Sequence, residues 1–345
     1  MAYQASVESP GTWLVLDYGA VEAEYAAIRR GAALIEWSQW GILEVAGPDS
    51  TSFLDRLVTN ALKPVACGEF TQAFITNRKG RIEADVVALR RPDGWWLQMD
   101  IACVAHVHQL LGQLHFGEAV EIRERGDLAS IGVHGAAATS ALQALGIIDG
   151  PGAAIAGHTC AIRRGWLGSV GWELVLPIDS CVSLWDAGVV DTDRLRPAGW
   201  SAANTARVEA GNPMFAIDFS TENLPAETSL LESHVSFTKG CYPGQEVVAR
   251  MHHLGAPKQR LVGLRCGATL PEAGDEVHRA EAADTPAIGV VTSSTVSPML
   301  GGQAIALAMV RSAHAAEGAA VCVRVDGSNC AASVAPRCAL PGGSA

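Results

Sequence analysis

The sequence predicts an α+β protein that ends in a small all-β barrel. Three observations lead there. Up to His253, helical and strand patterns are mixed without the regular alternation of a doubly wound sheet. From Lys258 onward the pattern changes to short apolar runs broken by Gly, Pro, Asp and Ser, which suits a barrel of about six strands. The chain's 345 residues, 49% of them apolar, exceed one ordinary core and suffice for two or three domains. The expected division is an α+β region over 1–255, a barrel over 256–338 and a disordered tail over 339–345, "ALPGGSA".

The elements follow in order. Residues 22–35 place Tyr25, Ile28, Ala32 and Ile35 on one helical face. "GILEVAG" (41–47) reads as a strand. Asp49 or Ser50 then caps a helix carrying Phe53, Leu54, Leu57 and Val58. "AFITNRKGRIEADVVALR" reads as a hairpin turning at Asn77–Gly80, "WWLQMD" as a strand and 102–114 as a helix. A second round gives a strand at 129–135, an Ala-rich helix at 136–145, two strands within 160–177, and helices at 179–188 and 199–210. "RLVGLRC", "AIGVVTSS", "AIALAMV" and "AAVCVRV" are barrel strands.

Composition narrows the function. The formal net charge of −11 disfavours a nucleic-acid partner, which would call for a basic face. No run approaches the roughly 20 apolar residues of a membrane helix, and "MAYQASVESPGTW" lacks the pattern of a secretory signal. The nine cysteines, at 67, 103, 160, 181, 241, 266, 322, 330 and 338, form no C-x-x-C pair. That scatter points to a reduced, cytoplasmic chain with no metal site of its own. The nine tryptophans fill cores or line pockets for planar ligands.

Three stretches carry candidate chemistry. In "KGCYPGQEVVARMHH" (239–253), Cys241 precedes a helix N-terminus. The macrodipole and Lys239 there favour a thiolate; the alternative is a small buried cysteine in a tight turn. In "RVEAGNPMFAIDFSTENLPAE" (207–227), an irregular segment holds Asp218, Glu222 and Glu227. A carboxylate so placed suits a ligand edge offering adjacent N–H donors, such as a pterin; the alternative is a solvated acidic loop. On the strand 81–89, Arg81, Glu83 and Asp85 share one face. Asp85 is either a solvent residue or, if that face borders a cleft, a general base or orienting carboxylate.

"KGCYPGQE" resembles the signature of the YgfZ-type folate-binding proteins, relatives of the GcvT aminomethyltransferase (the glycine-cleavage T-protein). The stretch "EYAAIRRGAALIEWSQWGILEVAGPDSTSFLDRLVTN" and the segments "GSVGWELVLP", "ARVEAGNPMFAIDFSTENLPAE" and "GVVTSSTVSPMLGGQAIALAMV" resemble further motifs of that superfamily, in order. The resemblance implies a clover-leaf of three subdomains around a central folate site, two of them intertwined before the barrel, and tetrahydrofolate as ligand. It puts Glu227 where the family grips the pterin and Asp85 where the transferases face the reacting folate nitrogen. Tyr242, Arg250 and Arg260 are further folate-contact candidates. The transferases carry paired aspartates where this chain has Ala84–Asp85, and a tyrosine where it has Gln72. With "KGCYPGQE", these departures direct the expectation to the branch linked to iron–sulfur cluster assembly or repair in client proteins, with a bearing on tRNA modification. Cys241 would be the functional thiol there, tuned by Lys239, Gln245 and Glu246. The alternative is a folate-dependent transferase or demethylase moving a one-carbon unit, and a third is a non-catalytic interaction protein that kept only the fold.

Overall fold

The computed structural model describes residues 3–5, 13–149, 154–156, 159–192, 194–253, 255, 257–280 and 286–335. The tail expected at 339–345 lies outside them. The chain forms two compact units: Met1–Lys79, Glu83–Ala203 and Ser233–Gln245 make the first, and Gly80–Ile82, Asn204–Glu232 and Glu246–Ala345 the second.

Besides the short antiparallel pair Tyr3–Ala5 and Trp13–Val15, the first unit holds two larger sheets. One runs in the order Phe70–Thr76, Ile82–Arg91, Gly94–Asp100, Trp40–Ala46, Glu121–Glu124. The other runs Ala154–Ala156, Thr159–Arg163, Gly171–Pro177, Leu128–His134, Ala33–Glu36, Arg196–Pro197, and only its last pairing, with Ala33–Glu36, is parallel. Ile42, Val87, Leu89 and Trp96 of the first sheet pack on Leu128, Cys160, Ile162 and Val175 of the second. Side chains alternate across a strand. Asp85 therefore shares the inward face of Val87 and Leu89, and Glu173 that of Val175. On its outer face the second sheet packs Trp172, Leu174 and Leu176 against Ala138, Ala141, Leu142 and Leu184, from the helices Ala138–Ala144 and Ile178–Trp185.

Two elements differ from expectation. The helix expected to carry Phe53, Leu54, Leu57 and Val58 spans only Ser50–Asp55, and Asp49 before it makes no side-chain cap. The helix expected over 22–35 spans Val21–Arg30 and ends where the Gly31 N–H bonds the Ala27 carbonyl. Ala33–Glu36 is instead a strand paired on both edges. A short apolar run satisfies either period, and the sheet on both sides decides it.

The second unit ends in a closed six-stranded barrel, ordered Gln259–Gly267, Gln303–Arg311, Gly289–Ser297, Glu276–Arg279, Ala320–Val325, Ser328–Ala335. Gln259–Gly267 pairs with both neighbours, which closes the ring and removes free edges. Val262, Leu264, Val277, Val291, Ala306, Val310 and Val323 fill it. The expected α+β class and C-terminal barrel are thus present.

The conspicuous segment 207–227 does structural work in this unit. Asp218 is 2% exposed and both its oxygens are satisfied. Its Oδ2 accepts from Arg207 Nη1 (2.6 Å) and the Met214 N–H (2.9 Å); Oδ1 accepts from the Thr292 and Ser293 hydroxyls (2.7 Å each). Glu209, fully buried, accepts from the Ser297 hydroxyl. These bonds tie the irregular segment to a barrel strand. Arg207→Met would strand a buried carboxylate, at a cost of about 3–5 kcal/mol. Hydrogen exchange should rise across 211–229 in that variant, and unchanged protection there would show that the network is dispensable.

Candidate active site

Glu173 is the most unusual side chain of the first unit. It is a carboxylate with no exposure, in the middle of a buried strand facing the layer between the sheets. Burying it costs several kcal/mol unless it is paired. Its Oε1 accepts from Trp166 Nε1 (2.8 Å) and lies 3.1 Å from Nε2 of the fully buried His134. Its Oε2 is buried and has no partner. Glycines make this packing possible: a Cβ on Gly132, directly across from Glu173, would come 2.4 Å from Trp37 Nε1, and one on Gly171 2.3 Å from His134 Nδ1.

Other unsatisfied groups belong to the same unit. Arg164 is half-buried, yet its Nε and Nη1 are sealed from solvent and unpartnered. Burial pulls its guanidinium below the ordinary range, opposed by the charges of Glu173 and Asp85. It lies over the rings of Trp40 and Trp166, 5.6 Å from each centroid. Trp37, Trp40 and Trp166 pack mutually, with centroids 5.0–5.4 Å apart. Trp37 Nε1 and the Gln39 amide, on the link between the sheets, also lack partners. Buried polar groups are nearly always bonded, to protein or to water, and a set of orphans beside an aromatic cluster suits a planar ligand with polar edges. A free carboxylate oxygen accepts N–H, the guanidinium donates to a ring carbonyl, and indole faces stack.

Asp85, on the facing sheet, has a side chain 21% exposed, with Oδ1 3.2 Å from Nε2 of His234, whose side chain is fully buried. The His234 ring stacks on Phe74, centroids 4.7 Å apart, and its Nδ1 is 2.7 Å from the Ser233 hydroxyl. Gln72 Nε2 lies 3.4 Å from His234 Nε2.

The remaining candidates are placed as follows. Lys239 is buried, and its three ammonium protons go to the carbonyls of Asp55, Val58 (2.8 Å) and Asn60 (2.8 Å), which leaves none for the neighbouring thiol. Burial pushes it down to about 8, with Asp55 opposing. Cys241 is exposed rather than buried in its turn. Tyr242 is buried with an unpartnered hydroxyl, and burial pushes the phenol up to about 12. Gln245 begins the helix Gln245–His253, its N–H bonded to the Tyr242 carbonyl, and Gly244 precedes it at φ +79°. Glu246, Arg250 and Arg260 are exposed in the second unit. Glu227, in that unit too, is 7% exposed, and its Oε2 receives Asn223 Nδ2 (2.9 Å), the Leu224 N–H (3.3 Å) and Gln259 Nε2 (3.4 Å). Among the described residues, no group of three His, Cys, Asp or Glu side chains is arranged to hold a metal ion, and no helix is long and apolar enough to cross a membrane.

Two family models match this chain: the GCVT N-terminal domain over residues 2–239 and the glycine cleavage T-protein C-terminal barrel domain over 259–340. The chain belongs to the glycine-cleavage T-protein family. It is 31% identical to a probable aminomethyltransferase of Halobacterium salinarum, over 96% of this chain and 93% of that one. It is 28% identical to an aminomethyltransferase of Thermoanaerobacter pseudethanolicus, over 90% and 86%. The crystal structure of the glycine cleavage system aminomethyltransferase T from Bartonella henselae shares the fold, with a TM-score of 0.88 at 22% identity over 98% of this chain and 94% of that one. These matches overturn the expected place in the YgfZ-type branch, and with it the reading as an iron–sulfur maintenance factor with client proteins and a role in tRNA modification. The octapeptide around Cys241 had carried that reading, while matches over nearly the whole chain lead to T-proteins.

Sequence reasoning quoted "GSVGWELVLP" without singling out Glu173. The available signal was one acidic residue in an otherwise apolar run. The thiols give a direct test of the packing. Cys103 and Cys266 are buried and pushed up to about 12, and Cys160 to about 11, burial being the main cause in each. Brief iodoacetamide treatment at pH 8 should alkylate the exposed Cys67 and Cys241 and spare those three. Labelling of Cys103 as fast as Cys241 would contradict the packing around Asp85.

Proposed function

We propose that the chain is a folate-dependent aminomethyltransferase that moves a one-carbon unit from an amine donor to tetrahydrofolate. The observation that carries this reading is the buried Glu173 carboxylate with one oxygen bonded and one free. A pterin edge presents adjacent N–H donors beside a ring carbonyl. Glu173 Oε2 suits the donors, Arg164 suits the carbonyl, and the tryptophans suit the ring faces. Family membership supports the same activity.

When bound, folate supplies the nitrogen that receives the one-carbon unit. The protein's part is to bind, orient and hold a proton. Glu173 and Arg164 fix the ring by its polar edge. Asp85, on the opposite inward face and fixed by His234, is the carboxylate available to accept or return a proton during transfer. Glu227 serves in this reading as the cap of its turn, with Arg250 and Arg260 as surface residues. Cys241, Lys239, Tyr242, Gln245 and Glu246 shape the loop and the helix start, and no step of the transfer needs the thiol. The reading does not depend on the cell compartment.

Titration with tetrahydrofolate, followed by tryptophan fluorescence, tests this. Glu173→Gln should raise Kd about 10- to 100-fold, since it removes a charge-assisted bond of about 1.5–3 kcal/mol. Cys241→Ser should leave both Kd and one-carbon transfer unchanged. Equal folate affinity in wild type and Glu173→Gln would refute the assignment.

A further inference from the structure

Asp85 does not stand alone, and its neighbour belongs to no motif singled out in the sequence. His234 lies on the helix Leu231–His234 with no side-chain exposure. A fully buried imidazole ordinarily earns its place through two bonded nitrogens. Here Nε2 faces Asp85 Oδ1 at 3.2 Å and Nδ1 faces the Ser233 hydroxyl at 2.7 Å. Phe74 stacks on the ring, and the Thr59 hydroxyl bonds the His234 carbonyl at 2.6 Å, so both ring and backbone are pinned.

We propose that His234 is a positioning residue for transfer: it holds the Asp85 carboxylate in one orientation. This rests on the reading that places Asp85 at the reacting folate. The proposal assigns the Ser233 hydroxyl as donor to Nδ1 and the ring proton to Nε2, facing Asp85, with the Gln72 amide, 3.4 Å from that nitrogen, turned so that its oxygen meets the N–H. One carboxylate oxygen is then fixed and the other remains for the reacting group. Partial exposure of Asp85 and full burial of His234 divide the labour, one side chain meeting the substrate and the other the interior.

The charged and titratable groups around the pair come from every neighbouring element. Arg164, from the turn after Thr159–Arg163, has a guanidinium that registers the Asp85 charge. Cys103, from the helix Ile101–Gln113, registers that charge too and stays a neutral thiol. Glu83, two residues before Asp85, is engaged with Asn77 (2.7 Å) and His106 (2.8 Å). On the imidazole side the neighbours are Gln72, Ser233 and Phe74, none of them charged. Among these groups, His234 brings Nε2 to 3.2 Å from the carboxylate.

The experiment uses the full chain and has two arms. In the first, nitrogen-15 NMR reads the His234 tautomer. The expected result is a proton on Nε2 whose signal shifts in Asp85→Asn, while a proton on Nδ1 would overturn the proposal without reference to turnover. In the second, transfer to tetrahydrofolate is measured with whichever of a panel of N-methyl amines and S-aminomethyl thiols supports wild-type turnover. His234→Leu should lower kcat about 100-fold, the scale of a misplaced reacting group, with folate KM within about threefold. His234→Gln, which keeps an N–H donor, should recover most of that rate, and Ser233→Ala should lower kcat in the same direction by less. Wild-type kcat in both His234 variants would overturn the proposal alone. Absence of wild-type turnover with every donor would instead fell the transferase reading, and this inference with it.

Discussion

One half-satisfied carboxylate organises the first unit. Glu173 sits where an apolar side chain would stabilise the layer between two sheets, and the surrounding sequence is arranged to accommodate it there. Trp166 and His134 bond one oxygen. Gly132 and Gly171 remove the side chains that would collide with Trp37 and His134. Arg164 adds a cation whose own bonding is incomplete. A protein gains nothing in stability from leaving such groups unpaired. The arrangement makes sense as a site kept ready for a partner that brings N–H donors and a carbonyl on one edge.

The two facing sheets convert that constraint into a position for chemistry. Val175 and Val87 contribute to one apolar core from opposite sides. The polar residues that share their inward faces, Glu173 and Asp85, therefore border the same layer from opposite sheets. Each carboxylate is backed by a fully buried histidine, His134 for one and His234 for the other. In the proposed reading, the pairing separates a residue that grips from a residue that reacts. The second unit uses its buried charges differently: Asp218 and Glu209 meet donors supplied by the protein itself, which marks them as structural.

The barrel was legible in the sequence because each strand is short and bounded by turn residues, so local pattern and final structure agree. The hairpin about Asn77–Gly80 and the helix after Gly244 were legible for the same reason. The first helix was overextended because Ala32 and Ile35 fit a helical face as well as a buried strand. Asp85 was grouped with Arg81 and Glu83 on one strand face, but its neighbour His234 lies 149 positions further along the chain and shares no local pattern with it. Lys239 looked like a partner for Cys241 by adjacency, whereas its bonds go to carbonyls of Asp55, Val58 and Asn60. Glu227 attracted attention as an acid in an irregular loop, and the donors its Oε2 receives include one from a distant barrel strand. A short motif around one cysteine was given more weight than the pattern of the whole chain, and that choice produced the wrong branch.

The most direct measurement is the crystal structure of the chain with tetrahydrofolate. The account predicts the pterin edge against Glu173 Oε2 and Arg164, its face on the tryptophan cluster, and the Asp85 carboxylate at the ring nitrogen that receives the one-carbon unit. A pterin bound through Glu227, with Glu173 Oε2 still without a partner, would contradict it.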